Sequence, residues 1–342
     1  MGCCDPQGQH QARVSHVTPL PFIWTHLLMH QPFKAAVVQS AAIAFDNPKT
    51  LSRMKELASQ ARSEGASLVV FPEAMLGTYP KGSTFGAYVG GRSDKGRDEF
   101  LHYHRNAIDV PGAYIDELAA LAADLRIHLV TGVIERDGGT LYCTAVFFND
   151  KGIFLGKHRK LMPTGSERTI WGFGDGSTLP VYDTPIGKLG AVVCYENYMP
   201  LLRTAMYAKG IELYCAPTLA SSDTWPASMQ HIAIEGRCFV LSANQYATAA
   251  DYPPDYVSAT ASDVDKPLTR GGSCIVDPFG NFLAGPNFEA AAVLVAQIDP
   301  SDIVRGKYDL DVVGHYARPD VFQLFVNERP QAAVQSNKGP FA

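Results

Sequence analysis

Short apolar runs recur along the chain, and many are separated by stretches whose apolar positions repeat at helical spacing. Lys34-Ala35-Ala36-Val37-Val38-Gln39 predicts a first strand. Leu51, Met54, Leu57, Ala58 and Ala61 then keep a helical rhythm that starts near Pro48 and stops at Gly65. Ser67-Leu68-Val69-Val70-Phe71 predicts the next strand, closed by Pro72-Glu73. This β-α-β opening calls for a parallel pair joined by a right-handed crossover. Residues 77–96 read as a long loop, followed by helices over 98–107 and 111–125. Ile127–Ile134 and Leu141–Phe148 flank the turn Asp137-Gly138-Gly139 and predict a hairpin. Further strands fall at 152–161, at 181–193 with a turn at Pro185-Ile186-Gly187, and at 211–216, 238–243, 272–277 and 292–298. Helices fall at 201–209 and from Asp223, the latter with Trp225, Met229 and Ile232 on one face. So many strands exceed one small sheet. Two mixed sheets packed together, each covered outside by helices, bury these runs best.

The flanks differ. Residues 1–31 mix Cys, His, Pro and Gln, with Arg13 their one Arg or Lys, and read as a disordered extension. The apolar run Leu20–Met29 is too short to span a bilayer. Met1-Gly2 starts like a myristoylation site, but Pro6 stands where Ser or Thr belongs. His26 and His30 share a helical spacing without a third ligand. The expected division is an extension at 1–31, a catalytic domain at 32–326 and a polar tail at 327–342.

Composition narrows the function. A formal net charge of -5 gives no basic face for nucleic acid and no polybasic run for a membrane. Cys143, Cys215, Cys238 and Cys274 sit in apolar runs and read as buried free thiols, which points to a reducing, cytoplasmic compartment. No spacing suggests a metal site or a phosphate loop, so no cofactor is expected.

Chemistry gathers at strand ends. Cys194 closes the run Leu189–Val193 and precedes a helical pattern, where a helix N-terminus favours a thiolate. Glu73 follows a fully apolar strand, so desolvation would raise its pKa and suit it to carry protons near neutrality. In His158-Arg159-Lys160, strand parity turns His158 and Lys160 to one face and Arg159 to the other. An inward ammonium can stabilise a developing anion.

Together these elements resemble the nitrilase branch of the carbon–nitrogen hydrolase superfamily, over about residues 34–330. The matching runs are Phe71-Pro72-Glu73-Ala74, His158-Arg159-Lys160-Leu161-Met162-Pro163-Thr164 and Cys194-Tyr195-Glu196-Asn197. Three more agree: Glu167-Arg168-x-x-Trp171-Gly172-x-Gly174-Asp175-Gly176, the run from Tyr207 to Thr218, and Val313-Gly314-His315-Tyr316-x-Arg318-Pro319-Asp320. The last two are similar to plant-type nitrilases.

The resemblance implies a four-layer αββα sandwich that pairs across a helical face and extends into spiral homo-oligomers. It implies a Glu73–Lys160–Cys194 triad, with Glu167 as a second glutamate that orients the reacting groups. The implied reaction converts a small nitrile to its carboxylic acid and ammonia through a thioimidate and a thioester on the cysteine. Amide release, as on β-cyanoalanine, is the variant outcome. An amidase of the same superfamily and a non-catalytic scaffold are the rivals. Nitrilases commonly carry Trp directly after the cysteine, and this chain has Tyr195. The backbone N–H there would still serve the anion, so the change bears on substrate range. Tyr79, Trp171, Tyr195 and Thr218 are the expected substrate contacts.

Overall fold

The computed structural model describes residues 30–220, 222–256, 267–332 and 334. The expectations placed on Met1-Gly2 and on His26 lie outside the described residues, as does all but the end of the 1–31 extension.

Alternation along the strands builds two sheets. The first contains β1 (Phe33–Gln39), β2 (Ala66–Val70), β3 (His128–Asp137), β4 (Thr140–Phe148) and β5 (Phe154–Arg159). The second contains β6 (Val181–Thr184), β7 (Gly187–Ala191), β8 (Leu213–Cys215), β9 (Phe239–Ser242), β10 (Ser273–Val276) and β11 (Phe282–Asn287). The last strand, β12 (Ala292–Ile298), returns to the first sheet beside β1. The strand order is β12-β1-β2-β3-β4-β5 in one sheet and β11-β10-β9-β8-β7-β6 in the other. Each sheet thus has a parallel centre, β1-β2-β3 and β7-β8-β9, with antiparallel strands outside it.

Strand parity then sets the layers. Val37, Leu68, Val70 and Val130 point toward Leu189, Leu213, Leu241 and Ile275 and form the core between the sheets. Their neighbours Val38, Val69 and Leu129 point the other way, onto Met54 and Leu118. Those two residues belong to α1 (Asn47–Ser63) and α3 (Ala113–Leu125). Val192, Tyr214 and Val240 likewise face Met206, Trp225 and Met229, from α4 (Pro200–Ala208) and α5 (Trp225–Gly236). Helix, sheet, sheet and helix therefore stack as the four expected layers. Trp225 is one of the core residues, with its indole N–H bonded to Ser242 Oγ at 2.9 Å.

Some boundaries move. The helix expected over 98–107 is α2, Asp94–Asn106, because Ser93 caps it by accepting the Gly96 N–H at 3.0 Å. The helix expected over 111–125 starts at Ala113. Among the elements without a sequence signal are β11, whose alternation is broken by Gly285-Pro286, the short α6 (Ser301–Lys307), and the two-residue strands Ala87–Tyr88 and Gly91–Arg92, which pair within the stretch expected as a loop. From Tyr308 the chain crosses the surface and is tied back by Lys209 to Glu328 at 2.7 Å and by the Gln331 N–H to Asp175 at 2.7 Å.

Candidate active site

Three strand ends converge between the sheets. Glu73 follows β2, Lys160 follows β5, and Cys194 follows β7, at 0%, 1% and 3% exposure. The parity argument holds: His158 and Lys160 are buried, while Arg159 turns outward to Glu135 and Asp137.

Glu73 is fixed through its backbone. Its carbonyl accepts from Gln245 Nε2 at 2.8 Å, and Ala74 after it takes a left-handed φ of 55°. Gly132 in mid-β3 lets the two backbones touch: a Cβ there would lie 2.2 Å from Glu73 Cα. In the side chain, Oε2 lies 3.5 Å from Lys160 Nζ and 3.6 Å from Cys143 Sγ. Oε1 is buried and has no hydrogen-bond partner among the described residues. Burial raises the Glu73 pKa, with help from the Glu167 charge and against the pull of Lys160.

Lys160 lies between two carboxylates. Its Nζ donates to Glu167 Oε2 at 2.9 Å and approaches Glu73 on the other side. Burial lowers its pKa, but the charges of Glu73 and its neighbours outweigh this and hold it well above the ordinary lysine value, so it stays an ammonium. Glu167 sits in a short 3-10 turn, Gly165–Thr169, where its carboxylate reaches back to the Thr164 N–H at 2.6 Å. Its other oxygen accepts from Tyr79 Oη at 2.6 Å. Trp171 is buried beside Lys160, its ring centroid 5.5 Å from Nζ. The indole N–H donates to Tyr103 Oη at 3.0 Å.

Cys194 opens the 3-10 turn Cys194–Tyr198 with a φ of 52°, a conformation a non-glycine residue rarely holds. Its N–H donates to Pro217 O at 2.9 Å, and the Glu196 N–H donates to Val193 O. The Tyr195 N–H between them has no acceptor among the described residues, as suits the first turn of a helix. The expectation of a favoured thiolate needs correction. Burial first, then the Glu73 and Glu167 charges, push the Cys194 thiol up to about 12, against Lys160 and the Thr218 hydroxyl. A five-residue 3-10 turn presents little of a helix dipole, so desolvation and like charge win.

The four expected substrate contacts divide. Thr218 is buried, with its hydroxyl beside the Cys194 thiol. Tyr79 commits its hydroxyl to Glu167, and Trp171 commits its N–H to Tyr103. Tyr195 projects outward at 45% exposure and packs on Tyr198, ring centroids 5.1 Å apart. A cavity of about 340 Å³ is lined by the 79–85 loop, Glu167, Ile170 and Trp171. Lys81 on its wall is half-buried and within electrostatic reach of Cys194, Glu73 and Glu167. Sequence reasoning missed Lys81, Tyr103, Gly132 and the place of Cys143. Only Gly132 carried a signal, a glycine inside a strand. No group of three or more metal-binding side chains occurs among the described residues.

The arrangement supplies a thiol, a proton carrier with an open oxygen, an ammonium, and a free N–H. That set suits addition of sulfur to an electrophilic carbon and stabilisation of the resulting anion. Comparison with known proteins agrees. Residues 34–308 match the carbon-nitrogen hydrolase family model. The chain is 58% identical over 305 residues to a bifunctional nitrilase/nitrile hydratase of Nicotiana tabacum, covering 88% of each. It is 54% identical over 302 residues to an aliphatic nitrilase of Sinorhizobium fredii, covering 88% of this chain and 98% of that one. Among solved structures, a branch 10 nitrilase-superfamily member of Saccharomyces cerevisiae superposes with a TM-score of 0.67 at 23% identity, over 84% of this chain and 97% of that one. An amidase of Nesterenkonia sp. does so at 0.60 and 21%, over 81% and 95%. The chain belongs to the carbon–nitrogen hydrolase family.

Proposed function

We propose that this protein is a nitrilase that hydrolyses a small organic nitrile through Cys194, with Glu73 as the proton carrier and Lys160 as the anion stabiliser. The observation that carries the roles is the division of the Glu73 carboxylate. One oxygen faces the Lys160 ammonium; the other is buried, unpaired and open to a proton. The relatives named nitrilases, at 54–58% identity, support the choice of nitrile over amide.

Glu73 takes the Cys194 proton as sulfur adds to the nitrile carbon, and passes it to nitrogen, giving a thioimidate. Glu73 next deprotonates a water that attacks the same carbon. Lys160 and the Tyr195 N–H hold the negative charge that develops; one such donor is typically worth about 10²–10³ in rate. Glu73 returns that proton to nitrogen and then relays the proton of the new hydroxyl, so nitrogen leaves as ammonia and a thioester remains. A second water, activated in the same way, releases the carboxylic acid and restores the thiol. If the tetrahedral intermediate expels sulfur before nitrogen, the product is an amide, the outcome in the names of the hydratase-capable relatives.

No helix among the described residues is long and apolar enough to cross a membrane. The five buried free cysteines among the described residues support a cytoplasmic setting. Tyr195, Tyr198, Leu201 and Ile234 expose apolar surface on and beside α4 and α5, which supports pairing of two copies across that helical face.

The test is mass spectrometry of intact protein quenched during turnover of a nitrile panel and the matching amides. An adduct on Cys194 from nitriles, with ammonia release, is expected. Adducts and ammonia from amides alone would make the protein an amidase.

A further inference from the structure

Among the described residues outside the triad, Cys143 alone bonds to two of its members. Its carbonyl accepts the Lys160 N–H at 2.8 Å, and its thiol lies 3.6 Å from Glu73 Oε2. Both contacts follow from its place in β4, between β3 beneath Glu73 and β5 leading to Lys160. It is buried and free. The sequence offered it as ordinary core.

We propose that Cys143 is a positioning residue that donates its S–H to Glu73 Oε2 and thereby reserves Oε1 for the proton of Cys194. The inference rests on the role of Glu73 given above. Only a neutral thiol can donate, and burial, with the Glu73 charge, keeps this one protonated at any working pH. A donor on Oε2 favours the ionised carboxylate, the form that acts as base. It also stops the carboxylate from turning to offer Lys160 its other oxygen. Sulfur suits the position because a shorter C–O bond would leave a hydroxyl farther from Oε2.

Glu73 is faced by Lys160, Glu167 and Cys194, and by Tyr79 and Lys81 of the following loop. None of those groups is itself altered when Cys143 is changed, so the pH profile reports on the thiol. The experiment compares kcat/KM against pH for Cys143→Ala, Cys143→Val and Cys143→Ser with the native protein, and includes Glu73→Gln. Valine restores volume without a donor; serine restores a donor with less reach. Alanine and valine should each lower kcat about three- to tenfold, the worth of one modest hydrogen bond. Both should also move the acidic limb upward by about half a pH unit. Serine should fall between them and the native protein. A valine variant with a native acidic limb would reduce Cys143 to packing and overturn the proposal. Should alanine fail to fold, valine and serine decide alone. An active Glu73→Gln would instead overturn the role of Glu73 itself, which keeps the two failures distinct.

Discussion

His158 Nε2 and Glu196 Oε2 meet 3.0 Å apart in a fully buried hydrogen bond that joins the lysine strand to the cysteine turn. Glu196 also accepts the Leu161 N–H at 2.5 Å and the Val193 N–H at 2.9 Å. One carboxylate thus holds the residues next to Lys160 and next to Cys194. The other ring nitrogen of His158 faces Thr178 O. Burial pulls the histidine pKa down, but the Glu196 charge and both hydrogen bonds outweigh it, and the net shift is upward.

A sign follows for stability. A histidine whose folded pKa exceeds its unfolded value of about 6.5 stabilises fully below that value and loses the contribution as pH rises through the folded pKa. Denaturant midpoints should therefore fall as pH climbs above neutrality, and His158→Gln should flatten that dependence. His158→Ala, which strands a buried carboxylate, should cost about 3–5 kcal/mol. Midpoints that fall equally in His158→Gln would remove the histidine from the account.

The thiol should react as a thiol at rest. With Cys194 pushed up to about 12, chiefly by burial, its alkylation by iodoacetamide should keep accelerating with pH through the alkaline range. A plateau below about pH 9 would mean a thiolate already present in the free protein. Glu73→Gln should slow nitrile turnover by about 10²–10⁴, the range for a lost general base. In the native protein the acidic limb of kcat/KM should lie above the ordinary carboxylate value of 4.5, because the proposed mechanism needs the ionised Glu73 and burial raises its pKa. A limb at or below that value would show a well-hydrated acid.

Gly132 tests how closely Glu73 must be held. An added methyl would sit 2.2 Å from Glu73 Cα and 2.7 Å from Ala74 N, both backbone atoms, so the loop must move. Gly132→Ala should lower kcat by about 10²-fold, as a shift near 1 Å at a reacting group does. Binding of a non-reacting amide, measured by calorimetry, should change far less. A variant with native kcat would mean that the loop absorbs the methyl without moving the carboxylate.

The layers and strand ends were readable because each follows from local pattern. Val37 and Val38 declare opposite faces, as do Lys160 and Arg159, by parity alone. What stayed hidden depends on contacts between distant segments. Gly132 matters because Glu73 lies against it, and Cys143 because β4 passes beside both Glu73 and Lys160. Tyr103 matters because α2 brings it to Trp171. The thiolate expectation failed for the same reason. The helix end is local and visible, whereas the burial and the two carboxylates that outweigh it are assembled by the fold.

On the proposed mechanism, changes at Tyr195 should bear on substrate range rather than on rate. Its ring leaves the triad and packs on Tyr198, which in turn packs on Trp225 with centroids 5.9 Å apart. Its N–H has no acceptor among the described residues, so the proposed donor to the anion does not depend on the side chain. Tyr195→Ala should therefore keep kcat for a small aliphatic nitrile within about threefold, since no donor to the transition state is lost. Tyr195→Trp should do the same. Both should alter KM across a panel of nitriles graded in size, because the aromatic stack beside the turn changes. Steady-state kinetics on that panel provide the check. A loss of kcat of about 10²-fold in Tyr195→Ala, even on the smallest nitrile, would show that the ring itself holds the turn in its reactive shape.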